Sequence, residues 1–582
     1  MTVSGPLEEP TELEPDQGTL GLADPADRWS VTDWEAAAAA VLRKAKRLGE
    51  DEPDALVQER LTRTTLDGID IAPLGTPASV EGLATHGRPT RAGEWDIRSR
   101  VVAGRGRTAN EEALVDLDGG VSSLWLEASP GDDLGQVLEG VLLDLAPVVL
   151  DARDGALEVA RAFLAHAAGR ELHPGTNLGV GAEAADDELV AVAGLAREAG
   201  VLGVVVDATT VHDRGASDVQ ELAHSMALGA RALRVLTGSG LSVEEAARLL
   251  EFRYAATDEQ FTTIAKLRAA RRLWARVLEL SEASFQETEG WTQRQHAVTS
   301  RPMMSRYDPW VNMLRTTVAA FAAGVGGADA VTVLPFDTPL GVPDAFGRRI
   351  ARNTSALLIS ESHVARVSDP AGGAYAVERL TDDLARAGWE LFGRLEDAAD
   401  PRRLLDEAIA DVAARREREV ATRKRPLTGL TEFPNLAETL PEREPDPAAR
   451  EVRRWGASFE ALRDEPATQH VFLATLGPVA AHTARATFAT NLFAAGGIAV
   501  DVAGPTKDTG ELVAAYAGQP VVCLAGSDPA YAEWGAQAAA ALREAGATHV
   551  IIAGRPVDYA DASCATGVDA LDFLTRTRSK LA

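Results

Sequence analysis

The feature that most constrains this chain is an alternation. From about residue 60 to 395, short apolar segments alternate with amphipathic ones. The pattern predicts strands at Ser123–Glu127, Pro147–Leu150, Leu202–Asp207, Ala232–Leu236 and Ala330–Pro335. It predicts helices at Ala156–Ala168, Asp187–Ala199, Asp218–Leu228, Val243–Leu250 and Asp258–Leu280. A strand-then-helix repeat sustained over this length points to a parallel sheet covered by its own helices. The expected fold is α/β, with a (β/α)8 TIM-type barrel over residues 61–395 and a doubly wound open sheet as the competing arrangement.

A second alternation occupies residues 468–582. Its strands are expected at Val471–Leu476, Ile498–Val502, Val521–Leu524 and His549–Ala553, with helices near 483–495, 509–517, 529–545 and 567–578. This is a flavodoxin-like or Rossmann-like pattern, in which ligands sit beyond the carboxyl ends of the strands. Residues 396–467 are charged and punctuated by Pro426, Pro434, Pro441, Pro445 and Pro447. They read as a partly helical linker wrapped around the barrel. Residues 1–60 read as a loosely tied tail followed by a helical arm at Asp33–Leu48. There Asp33 is the expected cap, and Arg43, Lys44, Lys46 and Arg47 precede Gly49.

Composition narrows the classes. No window approaches the ~18 apolar residues of a membrane span, and the first 30 residues lack the basic and apolar regions of a secretory signal. Cys523 lies in an apolar run and reads as a small buried hydrophobe, whereas Cys564 reads as a surface thiol in a polar loop. Neither belongs to a metal-binding spacing, so a reducing, cytoplasmic setting is expected. With 58 Lys plus Arg against 87 Asp plus Glu, net charge is −29, which disfavours nucleic acid as a partner. An anionic substrate held by a local arginine group stays compatible with that balance. Gly324-Val325-Gly326-Gly327 and Gly104-Arg105-Gly106 lack a nucleotide fingerprint's strand–turn–helix context.

Four segments stand out. They are the basic helix Ile264–Trp274, the run Tyr307-Asp308-Pro309-Trp310 through Arg315-Thr316, the stretch Arg349-Ile350-Ala351-Arg352-Asn353-Thr354, and Arg366 through Asp369-Pro370-Ala371-Gly372-Gly373 to Glu378. Read singly, each fits a helix with solvated cations or a Pro/Gly turn that closes a strand. In this order and spacing they closely resemble the adenosylcobalamin-dependent methylmalonyl-CoA mutases, from roughly Leu61 to the C-terminus. The resemblance implies a barrel that threads an acyl-CoA, followed by a flavodoxin-like, cobalamin-binding-like domain. The family includes enzymes of two unequal chains: a catalytic large subunit and a small (beta) subunit without cofactor.

The resemblance also says where chemistry would reside. Cobalamin-binding chains of the family carry Asp-x-His-x-x-Gly, whose His ligates cobalt while the Asp orients it. The matching stretch here is Ala480-Ala481-His482-Thr483-Ala484-Arg485, so only His482 remains. The loop after the third strand of that domain is Ala525-Gly526, and the small pair after the fourth is Ala553-Gly554, followed by Arg555. In the barrel, Trp95-Asp96-Ile97-Arg98-Ser99 leads to Arg100 where the family has a Tyr. A Tyr-His pair is matched by Thr209-Thr210, with His212 nearby but out of register. A His-Ser-Gln triplet becomes His296-Ala297-Val298, and a Gln-x-x-His-Thr-Asn run becomes Asp329 to Leu334. The resemblance thus implies a degenerate site at Arg100, Thr209, Thr210, Val298 and Asp329, and a degenerate cofactor loop at Ala480, His482 and Arg485.

The resulting expectation is a non-catalytic small subunit of a heterodimeric methylmalonyl-CoA mutase. The large subunit would bind adenosylcobalamin and the acyl-CoA substrate, and this chain would hold no cofactor or metal. Two alternatives stand beside it: an autonomous acyl-CoA mutase using His482 as cobalt ligand, and a scaffold protein without a mutase partner.

Overall fold

The computed structural model describes residues 29–83, 91, 93–283, 293–447 and 449–582. It comprises two compact units. The smaller holds the described residues up to Thr65 with Asp70–Gly75; the larger holds Leu66–Ile69 and the chain from Thr76 to Ala582.

The smaller unit is a helical arm. Its first helix is Val31–Lys44, and its N-cap is Ser30 rather than Asp33. Asp33 is the reciprocal partner: its backbone N–H donates to Ser30 Oγ at 3.2 Å while Ser30 N donates to Asp33 Oδ2 at 2.9 Å. A second helix, Leu56–Leu61, packs on it through Ala39, Leu42, Leu48 and Val57. The unit ends in a short antiparallel pair, β1 (Arg63–Thr64) with β2 (Asp70–Ile71).

In the larger unit, eight parallel strands close into a barrel. They are β3 (Asp96–Val102), β4 (Ser123–Glu127), β5 (Val148–Asp151), β6 (Asn177–Gly181), β7 (Leu202–Asp207), β8 (Leu250–Ala256), β9 (Gln295–Thr299) and β10 (Ala330–Thr332). β10 pairs with β3 through Ala330↔Asp96 and completes the ring. The open-sheet alternative is thereby excluded.

One expected strand is not a strand. Ala232–Leu236 lies inside the helix Asp218–Gly238. Its buried residues Leu222, Met226, Gly229, Leu233 and Leu236 recur every three or four positions, and a five-residue apolar run cannot be told from a buried helix turn by itself. Four barrel strands escape an apolar-run search: β3, β8 and β9 carry polar residues such as Arg98, Glu251 and His296, and β6 is broken up by Asn177, Gly179 and Gly181. At Gly179 in β6 the register slips, and a Cβ there would sit 1.9 Å from the Leu150 carbonyl oxygen at φ +75°, so the bulge requires glycine.

The basic helix Gln260–Leu280 does not solvate three of its cations. Lys266 Nζ meets Glu221 at 2.6 Å and Asp218 at 2.9 Å. Arg268 pairs with Asp369 and Glu378, and Arg271 donates to Gln295 and to the Gly326 carbonyl, both at 2.6 Å. Lys266, Arg268 and Arg271 are all buried. Arg352 and Arg348 likewise pair with Asp116, and Arg315 donates to Asn312, Ser305 and the Thr428 carbonyl. The four segments that stand out in sequence are therefore internal braces of the barrel.

Helix Pro401–Ala421 follows the barrel, then an irregular stretch, then helix Ala457–Asp464. The C-terminal part is a five-stranded parallel sheet: β11 (Val471–Thr475), β12 (Val500–Val502), β13 (Val521–Ala525), β14 (His549–Ala553) and β15 (Ala562–Cys564), ordered β12-β11-β13-β14-β15. Alternate residues fill two cores, Leu473, Cys523 and Ile551 on one face, Phe472, Leu524 and Ile552 on the other. Cys564 is not a surface thiol: the edge strand β15 turns it into the first of these cores, where it is 1% exposed. No described helix is long and apolar enough to cross a membrane.

Candidate functional site at the barrel mouth

Along each barrel strand alternate side chains point towards the axis, so side chains of different strands meet there. Interiors of such barrels are dominated by branched aliphatic side chains. This one is filled with ion pairs. Low on the axis, Arg98 of β3 donates to Glu251 of β8 at 2.8 Å and to Ser123 at 3.1 Å, and Arg294 donates to Glu251 at 3.1 Å. Above them lies Trp125, whose Nε1 donates to Asp151 Oδ2 at 2.8 Å. The Arg253 guanidinium lies 4.3 Å over the Trp125 ring and reaches Asp151 at 2.7 Å and Asp207 at 3.0 Å. Arg253 Nε donates to His296 Nδ1 at 3.3 Å, leaving His296 Nε2 to donate to Thr332 Oγ1 at 2.8 Å. Burial, with Arg98 and Arg253 nearby, holds His296 well below its ordinary pKa, so it is neutral.

A strap crosses the carboxyl ends of the strands. It runs through residues 441–447 and 449–453, none of which forms a helix or strand. Arg443 pairs with Asp344 at 2.6 Å and Asp337 at 3.2 Å, and Val342 N donates to the Glu444 carbonyl at 2.8 Å. Asp446 accepts from Arg100 at 2.7 Å, while Arg100 also grips Glu127 bidentately at 2.8 and 2.9 Å. Arg450 then enters the mouth, with Nη2 2.9 Å from Asp151 Oδ2 and Nη1 3.1 Å from Asp207 Oδ2.

Burial alone would push both carboxyls up. The Arg253 and Arg450 guanidiniums outweigh it and hold Asp207 far below, and Asp151 below, the usual carboxylate range. Burial likewise opposes the charge on Arg450, and Asp207 and Asp151 overcome it. The group is a fully ionised cluster of two acids and two guanidiniums.

The residues singled out in sequence are dispersed. Arg100 is in the mouth. Thr209 follows β7 and donates to Asp207 Oδ1 from its N–H at 2.9 Å and its hydroxyl at 2.5 Å; Thr210 Oγ1 donates to the Asp207 carbonyl at 2.9 Å. His212 Nε2 lies 2.7 Å from Ser300 Oγ. Val298 is buried in β9. Asp329 precedes β10 and so lies at the opposite, amino end of the barrel, where Gln295 N donates to its Oδ2 at 2.7 Å. It shares no space with the other four. Sequence reasoning misses Asp151, Asp207, Arg253 and Arg450. A signal for three of them is present: a charged residue at or near the carboxyl end of a strand.

At the carboxyl end of the second sheet, helix Val479–Ala495 begins before His482. Ala480 is exposed. His482 is buried, and its Nδ1 lies 3.2 Å from the Gly477 carbonyl. Arg485 donates to the Gly526 carbonyl at 2.6 Å and to Asp528 at 2.5 Å, with its guanidinium 4.9 Å from the Tyr531 ring. The Tyr531 hydroxyl accepts from Gly526 N at 3.0 Å and donates toward the carbonyls of Ala553 at 2.8 Å and Leu524 at 3.0 Å. Arg485 and Tyr531 thus lie across the ends of β13 and β14. Among the described residues no group of three or more His, Cys, Asp or Glu is placed to hold a metal ion.

The chain has extensive relatives. The family model described as methylmalonyl-CoA mutase matches residues 199–501. A protein of Streptomyces virginiae named methylmalonyl-CoA mutase small subunit is 45% identical, over 97% of this chain and 99% of its own length. A probable methylmalonyl-CoA mutase small subunit of Mycobacterium bovis is 40% identical over 91% and 93%. The methylmalonyl-CoA mutase small subunit of Propionibacterium freudenreichii subsp. shermanii is 34% identical over 96% of each.

Proposed function

Since the chain belongs to the methylmalonyl-CoA mutase family, and stands among its small subunits, we propose that it is the non-catalytic partner of a large catalytic subunit. That enzyme interconverts methylmalonyl-CoA and succinyl-CoA with adenosylcobalamin, and both cofactor and acyl-CoA belong to the large chain. This chain stabilises the heterodimer in the cytoplasm.

The observation that carries this reading is the filled barrel. A radical rearrangement needs a water-free cavity and a path for the thioester. Here the axis is occupied by Arg98, Glu251, Trp125 and Arg253, and the mouth is crossed by Arg450 and Asp446. Threading an acyl-CoA would require breaking buried ion pairs, which costs several kcal/mol for each partner left alone.

The second sheet supports the same reading. In order of appearance along the chain, its strands are arranged 2-1-3-4-5, which favours the flavodoxin-like assignment. Its residues do not fit a cobalamin. His482 has no acid at Ala480 to orient it, and Arg485 with Tyr531 lies across the ends of β13 and β14, where a nucleotide tail would run. No step of the reaction is therefore assigned to this chain's residues. The helical arm within residues 1–60 forms its own small unit, and we assign it to packing on the large chain.

The test is reconstitution. Coexpressed with a large mutase chain, this protein should co-purify at equal stoichiometry and raise the chain's stability, while alone it should neither retain adenosylcobalamin nor turn over methylmalonyl-CoA. A base-off cobalamin spectrum from the isolated chain, abolished by His482→Ala, would overturn the reading in favour of an autonomous mutase. Absence of any complex would favour a scaffold without a mutase partner.

A further inference from the structure

The strap residue Arg450 behaves as a bound ligand. Its guanidinium is the part of the strap that reaches between β5 and β7, where two nitrogens of one fork meet two carboxylates of different strands, Asp151 at 2.9 Å and Asp207 at 3.1 Å. That bidentate demand suits a planar guanidinium better than an ammonium. The Trp125 ring, 5.7 Å away, adds an aromatic surface suited to a flat cation.

The charges explain why the place must be filled. Arg253, fixed in β8, is shared between both acids, so one guanidinium of the barrel wall faces two carboxylates, and the strap supplies the second cation. Without Arg450, a buried net negative charge would remain, and this is unfavourable in low dielectric. The strap can leave without disturbing a sheet, since it is irregular backbone held by side-chain pairs and by single bonds such as Val342 N to the Glu444 carbonyl. Beside Arg450 opens a bowl of about 580 Å3 whose wall carries Asp154, Glu183, Glu188 and Glu451 along with Arg153. A molecule seated on Asp151 and Asp207 would extend its chain into that acidic bowl.

We infer that the barrel mouth is a guanidinium site occupied by a tethered residue, and that it accepts an alkylguanidinium, best one with a second cationic end, when the strap lifts. The internal occupant identifies the ligand chemistry, and the acidic bowl sets the preference for the second charge. Such a site would exist whether or not the chain has a mutase partner.

The experiment is chemical rescue in the full chain. Arg450→Gly should lower Tm, and millimolar ethylguanidinium should restore at least half of the loss. Agmatine should do so at a several-fold lower concentration, and tetramethylammonium should not. Wild-type Tm should not respond, and Arg450→Gly with Asp207→Asn should lose the rescue. Equal rescue by tetramethylammonium, or rescue that survives Asp207→Asn, overturns the proposal. Should Arg450→Gly fail to fold, hydrogen exchange in the otherwise intact Arg443→Ala chain decides. Exchange across residues 442–452 should accelerate with ethylguanidinium as it displaces Arg450, and an unchanged rate overturns the proposal.

Discussion

Arg98 and Glu251 face each other across the barrel axis at 2.8 Å, and neither side chain is exposed to solvent. Each is an ion that burial alone would disfavour, so the pair stands only as a pair. Glu251→Ala should cost ~3–5 kcal/mol by leaving Arg98 buried with only Asp96, at 3.7 Å, to oppose its charge. Arg98→Met with Glu251→Leu should recover most of the loss, since the third member, Arg294, is one-third exposed and can be hydrated. Urea unfolding followed by tryptophan emission measures both; a double variant no better than Glu251→Ala would contradict this account.

Two partly buried groups make opposite contributions to acid stability. Asp67 accepts from Ser217 Oγ at the start of helix Asp218–Gly238, and burial pushes its pKa up to about 6. Against ~3.9 unfolded, the folded state binds the extra proton, so this group adds stability as pH falls from above 6 towards 4. His224 is pushed down to about 4 by burial. Against ~6.5 unfolded, it removes stability as pH falls from 6.5 towards 4. Asp67→Asn should therefore steepen the acid loss, and His224→Gln should flatten it, in urea midpoints taken at pH 4.5, 5.5 and 6.5. Parallel curves for the three proteins would contradict both assignments.

Cys523 and Cys564 are both buried in the second sheet, and the neighbouring Cys564 thiol together with burial raises the Cys523 thiol well above its ordinary pKa. A thiol-specific disulfide reagent should label neither in the native protein and both after unfolding. Rapid native labelling of Cys564 would instead mean that β15 does not hold it.

Tyr531→Phe removes the acceptor of Gly526 N and the donor to Ala553. The change should destabilise the C-terminal sheet by ~1–3 kcal/mol through unsatisfied backbone groups. A thermal shift indistinguishable from zero would show that the hydroxyl is dispensable.

If catalysis rests with the large chain, His482→Ala should leave kcat and KM of the heterodimer within twofold of the wild type. A loss of ten-fold or more in kcat, with the complex intact, would place His482 in the chemistry.

The legible parts of this chain are those where local pattern and tertiary environment agree. Ser123–Glu127, Leu202–Asp207 and His549–Ala553 read as strands and are strands, since each is apolar and buried on both faces. β3, β8 and β9 are not legible, because Arg98, Glu251 and His296 are polar in sequence and buried only by their mutual pairing. The same blindness hides the site. Asp151 and Asp207 look like ordinary strand-end acids, and Arg450, far along the chain in a proline-punctuated stretch, has no local pattern to mark it. Asp329 groups with the mouth residues in sequence, yet its position before β10 puts it at the other end.

By itself, the sequence determined the alternation, and with it a parallel architecture, because the period of apolar residues follows the geometry of strand and helix. It also determined which residues flank His482, Ala480 before it and Arg485 after it, because residue identity is visible without coordinates. Whether the first sheet closes was decided only in three dimensions, by the pairing of β10 with β3. So was the state of its interior, where charges more than a hundred residues apart, Arg98 with Glu251 and Arg450 with Asp207, neutralise one another. Electrostatic pairing depends on distance in space, and distance along the chain carries no record of it.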